Sequence, residues 1–348
     1  MKQSLHTKRN ASVSDGRHGG GVVTPRSASV ASRHDSVVPW AIWGAIWTLI
    51  ALNAWVRWIM SDTHFGPVPI QPGDVMDSGK LIALRVLEAI STFVVLQCVY
   101  QCAWKPWRRD GKVGLDAMLL LGGVIGFSAD SMLNLHDLLF AFNSHSVNLG
   151  VWTAFMPFYT GGPAIYGESL LWGFPMYVYF GITASLAGCA IIGKLRARFP
   201  NITNASAYAI TYVAFCVGDF ILENTIIRTT DAYMFTKTYE PLTVFAGTMH
   251  QFPLYESFCA AAVSLGFTIM RQSALDSPDG LSIVERGASR LSPGLRQPMR
   301  TMAVVGACGA LFILAYHLPF NWLGVIGEST FDIPSYMMPA DWPPTAAR

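Results

Sequence analysis

Seven apolar runs dominate the chain, each near the roughly 20 residues that a helix needs to cross a bilayer. They cover about 37–60, 80–104, 113–140, 169–193, 205–227, 248–270 and 299–318, the last running on toward 325. Charged residues make up only 13% of the sequence and hydrophobic ones 52%. A soluble domain carries roughly 25% charged residues, so most of this chain is built for surroundings that penalise charge. The expected fold class is all-α: a polytopic membrane bundle of about seven helices.

The connectors orient that bundle. Lys2, Lys8, Arg9, Arg17, Arg26 and Arg33 precede the first run, and Lys105, Arg108, Arg109 and Lys112 follow the second. Lys194, Arg196 and Arg198 follow the fourth, and Arg271, Arg286, Arg290, Arg296 and Arg300 lie between the sixth and seventh. The alternate connectors are poor in Lys and Arg. Residues 61–79 hold Asp62, Asp74 and Asp77, and the C-terminal tail holds Glu328, Asp332 and Asp341. By the positive-inside rule the N-terminus is cytoplasmic and the C-terminus outside. The domain plan is a basic disordered tail over 1–36, a transmembrane domain over 37–325 with a cytoplasmic loop at 271–298, and a tail over 326–348. The head shows no apolar run of a signal peptide. All six cysteines fall in apolar stretches without a CxxC pair and read as small core residues.

Acids inside such helices cost about 2.5–3.5 kcal/mol each on insertion scales, so they mark function. At ~100° per residue, Asp130, Asn134 and Asp137 share a stripe of the third helix, near His136. Asp219 and Glu223 share a face of the fifth, with Asn224 beside them and Arg228 placed to pair with either acid. The fourth helix is preceded by Glu168 and carries Phe174-Pro-Met-Tyr177. The sixth is preceded by His250 and carries Phe252-Pro-Leu-Tyr255-Glu256. The matching Phe-Pro-x-Tyr elements suggest an internal repeat of helices 3-4 and 5-6. Carboxylates from these helices are expected to converge on one cavity, with Pro175 and Pro253 loosening its walls.

The chemistry is bounded by exclusion. The seventh helix has no Lys for a retinal Schiff base, and no phosphate loop or HExxH is present. No pair shows metal-ligand spacing, so neither metal nor cofactor is expected, and nothing points to nucleic acid. What remains is acid–base work by carboxyl groups in a low-dielectric pocket, on a lipophilic small molecule that reaches the site from membrane lipid. The same groups would serve a proton-coupled transporter, and a non-catalytic membrane protein is the third reading. The sequence leaves the oligomeric state open.

The length, the helical plan and the Gly126-Phe-Ser-Ala-Asp130 segment with Asn134 and His136 behind it resemble the AveC-like spirocyclase family. The Gly218-Asp219 to Asn224 and His250 to Glu256 segments fit too. The resemblance implies closure of a dihydroxy-ketone polyketide to a spiroketal, in some members with dehydration, and without a redox cofactor. It assigns no catalytic residues. From the residues themselves, Asp130, Asp219, Glu223 and Glu256 are the expected acid/base set. Asn134, His136, Asp137, Glu168, Tyr177, Asn224, His250 and Tyr255 are expected around the substrate.

Overall fold

The computed structural model describes residues 35–70, 72–328 and 333–342. The expected basic tail lies almost wholly outside them, as does part of the C-terminal tail. Among the described residues, seven helices are long and apolar enough to cross a membrane. They are α1 (Val37–Ile59), α2 (Ser78–Asp110), α3 (Leu115–Asn134), α4 (Gly173–Arg198), α5 (Asn204–Thr230), α6 (Leu254–Leu275) and α7 (Pro293–Val325). The least buried spans, α2 and α5, present Ile82, Phe93, Val213 and Ile221 outward, as helices in contact with lipid would. The six cysteines are unpaired; Cys259 and Cys308 are buried and the other four half-buried.

Close packing rests on glycine. A Cβ at Gly44 of α1 would run into the Met302 carbonyl of α7, and one at Gly306 into the Trp40 carbonyl. In the same way Gly123 of α3 lies against the Tyr177 backbone of α4, and Gly126 against the Phe312 ring of α7.

Two helices widen to π geometry, at Val99–Trp104 and Leu311–His317. Pro106 and Pro319 follow directly. Proline supplies no N–H and its ring displaces the carbonyl four residues back, so a wider turn keeps each helix continuous. No break results, and α2 runs on to Asp110, beyond its expected end.

The third helix departs from the expected course. From Phe127 it tightens to 3-10 geometry, and it ends at Asn134. Asn134 causes the exit: its Oδ1 accepts from the Leu139 and Phe140 amides, each at 3.0 Å, and its Nδ2 donates to the Phe140 carbonyl at 2.7 Å. The stripe of Asp130, Asn134 and Asp137 therefore does not form, because a 3-10 turn advances 120° per residue and Asp137 lies beyond the helix. The sixth helix begins later than expected because Phe252 and Pro253 pair as a strand with Thr243 and Val244. Pro175 sits in the first turn of α4, where its missing N–H costs nothing, so it does not loosen the wall. The Phe-Pro-x-Tyr elements thus differ in structure, one within a helix and one spanning a strand and a helix, and no repeat is shown.

The connectors at 135–172 and 231–253 cap one end of the bundle. Strand β1 (Phe140–Phe142) pairs antiparallel with β2 (Tyr233–Phe235), Phe142 opposite Tyr233. Buried Asn143 donates to the Asp231 carbonyl at 2.8 Å. Buried Glu88 of α2 accepts from the Val147 amide at 2.8 Å. Ion pairs Lys80–Asp231 (2.6 Å) and Lys237–Asp137 (2.7 Å) tie the rim. The basic connectors gather at the opposite end, where Arg300 pairs with Glu285 at 2.8 Å and Arg271 with Asp116.

The glycine contacts make a direct prediction. Overpacking costs about 1–3 kcal/mol, so Gly44→Leu should lower the unfolding midpoint in detergent. Gly193→Ala meets open space and should leave the midpoint unchanged or slightly raised. Thermal unfolding of the purified chain decides between them.

Candidate active site

Under the β1–β2 cap lies a cavity of about 80 Å³. Its wall is largely apolar: Phe140, Phe142, Trp172, Phe180 and Phe312 surround it. Tyr233 stacks between Phe140, at 4.9 Å, and Trp172, at 5.2 Å, and closes the roof. Into this wall project Asp130, Tyr177, Asp219, Glu223, Glu256 and Tyr316.

Local structure places each acid. Gly123 lets α3 touch the backbone of α4 at Tyr177, and the 3-10 turn then swings Asp130 beside that residue's side chain. The Tyr177 hydroxyl donates to Asp130 Oδ1 at 2.7 Å. Phe127 and Phe312 hold the Tyr177 ring at 5.5 and 4.8 Å. Glu168, in the connector before α4, is 0% exposed. Neither of its oxygens receives a well-formed hydrogen bond from an N–H or hydroxyl group among the described residues. Its side-chain partner is the Asp130 carboxyl, with the Ser169 amide a weaker aid. Two carboxyl groups bond only if one carries a proton. Burial first, and then the Asp130 charge, raise the Glu168 carboxyl well above its ordinary value of 4.5. Burial therefore favours the protonated form of Glu168, beside Asp130.

A second acidic group faces the same space. Asp219 and Glu223, four residues apart on α5, meet Glu256 from the first turn of α6, one oxygen of each lying within 4.8 Å of the others. Asp219 and Glu256 are in side-chain hydrogen-bond contact. Tyr316 donates to Glu256 at 3.1 Å, and Tyr233 donates to Glu223. Three carboxylates this close cannot all stay ionised in an apolar wall; shared protons or a bound cation must reduce their charge. Their spacing would fit a divalent cation, which the sequence, read for ligand spacing along one helix, did not lead us to expect.

Other expected residues lie elsewhere. Asn134 is committed to the turn described above. His136 bonds the Thr160 hydroxyl, and Asp137 pairs with Lys237 on the rim. His250 lies 3.2 Å from Asp231. Asn224 donates to the Phe220 carbonyl at 2.8 Å, and Tyr255 accepts from the Tyr239 amide at 3.4 Å. Arg228 pairs with neither Asp219 nor Glu223. It is five and nine residues beyond them, hence ~140–180° around the helix, and it donates to the His250 carbonyl and covers the Phe245 ring.

Tyr233, Tyr316 and His317 were not anticipated. His317 carries a sequence signal, because an ionisable residue inside an apolar run is rare in membrane helices and marks function. Tyr233 carries none, because a three-residue strand has no readable period.

A family model described as Spirocyclase AveC-like matches residues 107–337, which hold every acid and tyrosine of the cavity. The chain belongs to the AveC-like spirocyclase family. Membership implies a cyclase and suggests a small polyketide substrate. No curated protein and no solved structure matches the chain.

The Glu168 carboxyl should govern stability against pH in this chain. An acid whose value is raised on folding stabilises the fold below its unfolded value of 4.5 and loses that contribution as pH climbs toward its folded value. Unfolding midpoints should thus fall with rising pH, and Glu168→Gln, which still donates to Asp130, should flatten the dependence.

Proposed function

We propose that this protein closes a lipophilic dihydroxy-ketone to a spiroketal by general acid–base catalysis, without a redox cofactor. The observation that carries the proposal is the cavity itself: Asp130, backed by Glu168, and the Asp219–Glu223–Glu256 group face a single largely apolar space.

Spiroketal formation joins one ketone and two hydroxyl groups with loss of one water. The Asp130–Glu168 pair, relayed by Tyr177, gives a proton to the ketone oxygen. The first hydroxyl oxygen bonds to the carbonyl carbon, and its proton passes to a carboxylate of the Asp219–Glu223–Glu256 group. The product of that step is a hemiketal. The carboxylate group hands that proton on to the hemiketal hydroxyl, which breaks the C–O bond, releases water and leaves an oxocarbenium ion. The second hydroxyl adds, and its proton returns to the Asp130–Glu168 pair, restoring the start. The aromatic faces of Trp172, Tyr233 and Phe312 stabilise the cation, and the shaped wall sets which face is attacked. Asn134, His136, Asp137, Asn224, His250 and Tyr255 would then act from outside the wall, holding the cap and helix ends that carry it.

The carboxylate cluster also leaves room for a cation as the charge-balancing partner. Chelator treatment with divalent-metal add-back tests this. The distribution of positive charge supports a cytoplasmic N-terminus, with the β1–β2 cap on the outer side and the substrate arriving from the surrounding lipid.

Membranes containing the protein, supplied with the dihydroxy-ketone that accumulates when its gene is deleted, should yield the spiroketal. Asp130→Asn should lower the rate by about 10²–10⁴-fold, the usual share of a general acid or base. No accumulated ketone and no turnover would sink the proposal. Proton-gradient-dependent uptake into proteoliposomes would move the reading to a transporter.

A further inference from the structure

Behind the cavity wall lies a histidine that the cyclisation steps do not use. His317 occupies the π turn of α7 and is 0% exposed. Its Nε2 is 3.1 Å from the Tyr177 hydroxyl, whose hydrogen is directed to Asp130. The two rings are nearly parallel, 5° apart. A phenol carries one hydrogen. With that hydrogen given to Asp130, the Tyr177 oxygen accepts from His317 Nε2–H, which leaves Nδ1 as a bare acceptor.

Nδ1 has no partner among the described residues, and neither has Oδ1 of Asn321, one turn further on. The Asn321 nitrogen is committed to the Met132 and His317 carbonyls, each at 2.9 Å, which fixes the oxygen end. Two buried acceptors one turn apart suit the two O–H donors of one water. Asn321 also lines a second groove, with His136, Trp322 and Ile326, that shares no lining residue with the cavity. Trp322 and Ile326 are 69% and 64% exposed there.

We propose that His317 is a proton-relay and positioning residue, passing protons between water in that groove and the Asp130–Glu168 pair by way of Tyr177. In the inward direction, a proton carried by water binds Nδ1. The Nε2–H bond breaks and its proton goes to the Tyr177 oxygen. The Tyr177 O–H bond breaks and that proton goes to Asp130 Oδ1. His317 is left as the Nδ1–H tautomer, and the same shifts run backward restore the start. No electrons are transferred between groups. The relay keeps the Asp130–Glu168 pair in proton equilibrium with water between closures without opening the cavity. That service to turnover rests on the acid–base reading above, whereas the proton exchange itself does not.

The test separates the two. The full chain in lipid nanodiscs is moved from H₂O to D₂O, and the carboxylic-acid infrared band that Glu168→Gln removes is followed in time. His317→Phe should slow its exchange by on the order of tenfold or more, since proton transfer through a positioned group is worth at least that. His317→Gln can still donate to Tyr177 but cannot pass a proton, so it should be slow as well. Wild-type exchange in both variants would overturn the relay. Slowing in His317→Phe with wild-type exchange in His317→Gln would overturn it too, by reducing His317 to a structural donor. Should His317→Phe fail to fold, His317→Gln decides alone. If wild-type membranes convert no ketone, the cyclase reading fails while the exchange result still judges the relay.

Discussion

The structure depends on the cost of keeping carboxyl groups in an apolar interior. An isolated carboxylate there is unfavourable by several kcal/mol even after relaxation, and this chain brings five carboxyl groups to one place. Each is accommodated by a partner that shares or supplies a proton. Glu168, whose burial favours the protonated form, lies beside Asp130, which receives the Tyr177 hydroxyl. Glu256 and Asp219 are in contact, and Tyr316 and Tyr233 donate into that group. Such pairing is also what acid–base chemistry requires, a proton held beside a site that can accept it.

That arrangement governs the rest of the bundle. Glycine at 123 and 126 lets α3 approach α4 and α7 closely enough for Asp130 to meet Tyr177. Within the π turn ahead of Pro319, Tyr316 reaches Glu256 and its neighbour His317 reaches Tyr177. The capping connectors contribute Glu168, Trp172 and Tyr233, so the cavity is completed by loops held against each other through β1 and β2. Family membership adds the reaction class; the pairing of acids supplies a physical account of how this chain would perform it.

Much of this was legible in the residues alone. Seven spans follow from run length, and the convergence of Asp130, Asp219, Glu223 and Glu256 with Tyr177 follows from helical spacing and the cost of charge in lipid. Asp219 and Glu223 illustrate why: four residues apart on a regular helix, they had to share a face. Asp130 with Asn134 and Asp137 illustrates the limit. The same arithmetic failed there because α3 tightens to 3-10 geometry, and because Asn134 uses its side chain on the backbone of the next strand.

By itself, then, the sequence determined the helix count, the distribution of charge between alternate connectors, the family and the acidic helices, all properties of local composition and period. Only the tertiary structure decided that Glu168 is the carboxyl neighbour of Asp130, that Tyr233 roofs the cavity and that His317 stands behind Tyr177. The physical reason is that these contacts join residues 38 to 140 positions apart, through a connector, a three-residue strand and a π turn. None of these has a sequence period from which the facing residue could be computed.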